Sequence, residues 1–85
     1  MRPGDLGELM QITNAAWSST ATASDTAFQC HRSDAVWHIG FGTEPTNYAN
    51  TLQVFGQQIY KVPSGKTVYL RAAGDEPLEI NVVPL

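Results

Sequence analysis

Cys30, His31 and His38 are the side chains in this sequence best suited to hold a metal or to act as nucleophile and base. A zinc site needs three or four ligands at workable spacing. Adjacent side chains on a strand point to opposite faces, so Cys30 and His31 do not share a site. A turn brings His38 near one of them at best, and no fourth ligand stands at ligand spacing. A nucleophilic thiol needs a lowered pKa, from a histidine or a helix N-terminus. Cys30 instead alternates in phase with Phe28, which places it inward as a structural thiol. His31 and His38 are expected as surface or hydrogen-bonded strand residues.

The carboxylates give no stronger lead. Asp75 and Glu76 fall in a turn whose composition explains them, and Glu79 lies on the wet face of the last strand pattern. A working acid–base pair needs one raised pKa, and therefore burial. The chain has no G-x-S-x-G, no P-loop and no dinucleotide fingerprint. Trp17, Trp37, Tyr48, Tyr60 and Tyr69 are the aromatics able to form a sugar platform. Trp37 shares a face with Ile39 and Phe41 and is expected in the core. Tyr60 and Tyr69 lie on strands, where stacking on a saccharide and packing on a second subunit look the same.

With 85 residues the chain has room for one domain. Surface scaling gives a folded area of roughly 5,000 Å². Hydrophobic residues make up 42% and charged residues 15%, an ordinary globular balance. No apolar run reaches the ~20 residues of a membrane helix, and no secretory signal pattern is present, so no membrane partner is expected. A net charge of −3 argues against nucleic-acid binding. A single cysteine excludes an internal disulfide. Neither a cofactor nor a catalytic role is expected.

From Thr26 onward the pattern has period two. Phe28 and Cys30 face one way, then Arg32-Ser33-Asp34 connects to a second run in which Trp37, Ile39 and Phe41 alternate with Val36, His38 and Gly40. Two such runs joined by three polar residues predict a β-hairpin. Leu52–Phe55 and Gln57–Val62 follow, with Gly56 as a bulge between them. Pro63-Ser64-Gly65-Lys66 is a turn, because proline presets φ and glycine supplies a positive φ. Val68, Leu70 and Ala72 alternate next, then Gly74–Pro77 turns, and Leu78, Ile80 and Val82 close the pattern. Strict alternation means one wet face and one buried face, hence antiparallel strands. The fold class predicted is all-β: a small antiparallel sandwich or barrel of about six short strands. Phe28, Cys30, Trp37, Ile39, Val54, Val68, Leu70, Leu78, Ile80 and Val82 should form its core.

Residues 1–25 read differently. Ser18–Asp25 carries no large apolar side chain and is read as a loop or flexible arm. Leu9–Thr13 is short, and its β-branched residues favour a strand. The domain division is therefore an N-terminal arm or edge segment at 1–25 and a β-sandwich at 26–85. Leu9, Met10, Ile12 and Trp17 are the arm residues expected to bury themselves on a partner.

The order of features resembles a type of small virion protein encoded by tailed bacteriophages. The similarity rests on Trp17 in an N-terminal segment, a strand like Phe28-Gln-Cys-His31, and a second strand ending at glycine, Val36-Trp-His-Ile-Gly40. A proline loop, Gly42-Thr-Glu-Pro45, follows, then Pro63-Ser-Gly-Lys-Thr-Val-Tyr-Leu-Arg71-Ala and Leu78-Glu-Ile-Asn-Val82. It spans roughly Trp17 to Val83, with Cys30-His31 departing from the Gln-Asn ending of that pattern. Such proteins resemble capsid-decoration, head-fibre or tail accessory components. The resemblance implies a non-enzymatic, homo-oligomeric structural protein that binds capsid or tail proteins in a virion assembled in the host cytoplasm. The alternative is a carbohydrate-binding or receptor-binding module using exposed aromatics. A small enzyme or metal protein comes third.

Overall fold

A computed structural model describes residues 8–47 and 51–85. Eight strands appear among them: β1 (Glu8–Ile12), β2 (Ser18–Ala21), β3 (Thr26–Cys30), β4 (Val36–Phe41), β5 (Leu52–Phe55), β6 (Tyr60–Val62), β7 (Thr67–Ala72) and β8 (Leu78–Pro84). They form two four-stranded antiparallel sheets, ordered β1-β8-β3-β6 and β2-β7-β4-β5. The pairs β1–β8, β2–β7, β3–β6 and β4–β5 nest inside one another, as in one long hairpin rolled up on itself. This is the strand order of a jelly roll. The sheets do not close into a barrel, and the expectation of about six strands is two short.

The alternating residues meet between the layers. Phe28, Trp37, Ile39, Val68, Leu70 and Ile80 are fully buried, with Cys30, Val54 and Leu78 beside them. Ile12, Ala35, Val62 and Ala72 join this core. Val82, expected inside, is only partly buried, because it lines an open cleft with Thr22, Thr26 and Pro84 where the sheets part. The exposed area, 5238 Å², lies close to the scaling value.

Three sequence expectations are corrected here. β3 and β4 are not a hairpin: they belong to different sheets, and Arg32–Asp34 carries the chain across as an arch. Alternation reports that one face is buried, but two strands facing each other across a core alternate just as two paired strands do. Gly56 likewise lies in a turn with φ +59°, carrying the chain from β5 in one sheet to β6 in the other.

The third correction concerns the loop or arm read at Ser18–Asp25, whereas the strand expected at Leu9–Thr13 is present as edge strand β1. Residues 1–7 lie outside the described residues, but 8–25 are built into the sandwich. β1 pairs with β8 over its full length and delivers Ile12 to the core. β2 pairs with β7 although its sequence is Ser-Ser-Thr-Ala. Its order comes from the backbone ladder and from Thr22, which is 4% exposed. The Thr22 hydroxyl donates to the Pro63 carbonyl at 2.8 Å and accepts the Lys66 N–H at 2.9 Å. Backbone bonds Thr22 N–H to Lys66 O and Gly65 N–H to Thr22 O complete the clamp. A polar segment thus finds its partners in the β6–β7 turn instead of in an apolar core.

Cys30 is 1% exposed and carries no disulfide. Its thiol should therefore react with a maleimide orders of magnitude more slowly in the native protein than in denaturant. Labelling at equal rates would show that the core opens around β3.

Candidate functional site

The residues first singled out for chemistry are not brought together. Cys30 points into the core from β3, and His31 is exposed just beyond that strand. His38 sits on the outward face of β4 in the other sheet, opposite Arg71 and Gln53. Burial lowers the His38 pKa, and the positive charge of Arg71 lowers it further. No group of three or more metal-ligating side chains occurs among the described residues.

Of the carboxylates singled out, Asp75 and Glu76 are occupied with structural pairing, and Glu79 is exposed on β8. Arg32, in the β3–β4 arch, donates Nε and Nη2 to Asp34 at 3.1 and 3.0 Å and Nη1 to Glu76 at 2.7 Å. These bonds raise the arginine pKa and hold the Asp34 carboxyl below its ordinary range. The guanidinium thus clips the arch to the β7–β8 turn beside an open cleft of about 440 Å³. Asn14 donates to Asp75 in the same turn at 3.3 Å. All these side chains are solvent-exposed, which suits a clip on the surface.

Of the aromatics, Trp37 is buried entirely. Tyr48 lies outside the described residues. Trp17 and Tyr69 lie at the outer side of the β2-β7-β4-β5 sheet, where the Arg71 guanidinium carbon stands 5.9 Å from the Trp17 ring centroid. Arg71 is steadied by an Nε–H bond to the Asn14 carbonyl at 2.8 Å. Tyr60 starts β6 and lies 6.1 Å from the Phe41 ring.

The arm residues proposed for a partner part company. Ile12 belongs to this chain's own core, and Met10 packs against it. Trp17 stands beside Arg71 of the same chain. Leu9, 62% exposed on β1, alone keeps a largely open apolar side chain.

A different apolar surface emerges on the side of edge strands β5 and β6, which belong to different sheets and do not pair with each other. Phe41 lies opposite buried Val68, Leu52 opposite buried Ile39, and Tyr60 opposite buried Phe28. Opposed residues of an antiparallel pair share a face, so all three point toward the interior. They sit where the sandwich gapes, and Phe41 and Leu52 remain 41% and 51% exposed. Ile59, just before β6, is 56% exposed. The sequence held one unread signal for this side: no charged residue occurs between Glu44 and Lys61.

No family model, no curated protein and no solved structure matches the chain.

Proposed function

We propose that this chain is a non-enzymatic structural subunit of a bacteriophage virion, binding capsid proteins as a decorating or stabilising component. The observation that carries the reading is the uncharged, apolar open side formed by Phe41, Leu52, Ile59 and Tyr60. Soluble β proteins guard edge strands with charges, prolines or bulges. β6 has Lys61 and is followed by Pro63, whereas β5, Leu-Gln-Val-Phe, has none of these. An uncharged, apolar edge that no strand among the described residues pairs with suits addition of a strand from a neighbouring subunit. The jelly-roll strand order adds a fold-level analogy, since capsid proteins are among its commonest users. The feature order that resembles tailed-phage accessory proteins points the same way.

The test is association with the particle. Virus particles banded on a density gradient, from a culture expressing the chain from its native genome, should carry it in hundreds of copies. A handful of copies would move it to the tail or neck, and none would overturn the reading. The double variant Leu52→Ser/Ile59→Ser should change stability by no more than about 1 kcal/mol, since both side chains are more than half exposed. Its association with particles should fall by about tenfold or more, as expected for anchors at an interface centre. Unchanged copy number would remove the β5–β6 side as the contact.

A further inference from the structure

The outward face of the β2-β7-β4-β5 sheet has a composition unlike the rest of the surface. Strand register sets Arg71 of β7, His38 of β4 and Gln53 of β5 side by side in one row across three strands. Trp17 ends that row, beside the Arg71 guanidinium. The next row on one side holds Tyr69, which lies opposite Ser19 and Gly40. A Cβ at Gly40 would stand 2.7 Å from Pro45 Cγ, so the loop after β4 lies over this position and forms a wall. The row on the other side holds Val36 and Phe55, with Phe55 55% exposed. A line of planar polar groups is thus bordered by aromatic side chains and, along one side, by a loop.

We propose that this face binds an acidic saccharide, a glycan whose sugar rings carry carboxylates. The chemistry is complementary at each point. Sugar rings present apolar C–H patches that pack on aromatic side chains such as Tyr69, Trp17 and Phe55, and hydroxyls that exchange hydrogen bonds with Gln53 and His38. Arg71 is the one charged residue that the strands of this face direct outward, and its planar fork suits a carboxylate. The sheet's outward strand positions carry no carboxylate of their own, in a chain whose net charge is −3. Within the strands of this face an anionic ligand therefore meets attraction alone, and the bordering loop adds one exposed carboxylate, Glu44, outside the row. Arg71 is also preset, because its Nε–H already binds the Asn14 carbonyl. The residues of this face are distinct from Leu52 and Ile59, so the assembly reading and this one stand or fall separately.

The experiment is a titration of the full chain, followed by tryptophan fluorescence and calorimetry, with oligogalacturonate, oligomannuronate and sialyllactose at millimolar concentrations. Methyl-esterified oligogalacturonate and lactose serve as uncharged counterparts. Binding is expected to at least one carboxylate-bearing probe, weakened about tenfold or more in its uncharged counterpart. Arg71→Gln should reduce that binding to the level of the uncharged probe. Gln53→Ala lies on an exposed edge position and should weaken binding several-fold with an unchanged melting temperature, which keeps the test open if the arginine variant folds poorly. The proposal is overturned by an absence of binding to all three acidic probes. It is equally overturned by equal affinity for charged and uncharged forms, or by binding that Gln53→Ala and a folded Arg71→Gln both leave intact.

Discussion

Trp37→Ala is expected to unfold the domain at room temperature, or to leave so little stability that no cooperative melting transition survives. Trp37 is the largest of the fully buried side chains. Removing a buried tryptophan costs about 3–5 kcal/mol, through lost transfer free energy and the cavity left behind. A domain of this size sits at the lower end of the roughly 5–15 kcal/mol that holds native proteins together. The check is circular dichroism with a urea titration. A folded variant with a near-native midpoint would mean that the two sheets can collapse onto the gap. Trp37→Phe is the informative companion. The indole N–H is buried with no hydrogen-bond partner among the described residues. Phenylalanine removes that unpaired donor, which by itself costs about 1–3 kcal/mol to bury. It should offset part of the lost volume and remain folded.

Removing residues 1–17 should be nearly as damaging. The deletion takes away β1, so β8 loses its ladder from Leu78 to Val82 and becomes an uncovered edge. It also takes Ile12, which is fully buried, at a cost of about 2–5 kcal/mol for the side chain alone. The Thr13 carbonyl, which accepts the Ala72 N–H at 3.0 Å, and the Asn14 carbonyl that holds Arg71 go with it. The truncated chain is expected to show no cooperative melting and to expose Cys30 to thiol reagents. A stable monomer lacking these residues would restore the view that the segment belongs to a partner.

Period-two alternation made the middle of the molecule readable. Phe28 with Cys30, Trp37 with Ile39, Val68 with Leu70 and Ala72, and Leu78 with Ile80 all face the core as the pattern requires. Pro63–Lys66 turns as its residue types demand, with Gly65 at φ +79°. What stayed hidden was whatever depends on long-range pairing. Ser18–Ala21 carries no apolar signal, and nothing local announces that β7 will pair with it or that Thr22 will be met by Pro63 and Lys66. The arch at Arg32–Asp34 looks like a hairpin turn because alternation is blind to which sheet a strand joins. The surfaces suffered most from this. Trp17 and Tyr69 were visible as aromatics, but the row Arg71, His38 and Gln53 exists only through the register of three strands drawn from distant parts of the chain.

The nesting of strand pairs also sets a timetable for synthesis. Among the described residues β4 and β5 are the only consecutive strands that pair, so this pair can zip up soonest after leaving the ribosome. β3 must wait for β6, β2 for β7 and β1 for β8, each partner emerging later than the last. Ile12 therefore stays uncovered until Leu78 and the residues after it have been made. Such long-range closure places folding in the millisecond-to-second range typical of β sandwiches. A nascent chain stalled before Leu78 should be cut readily by protease, and resistance should appear only once the final strand has cleared the exit tunnel.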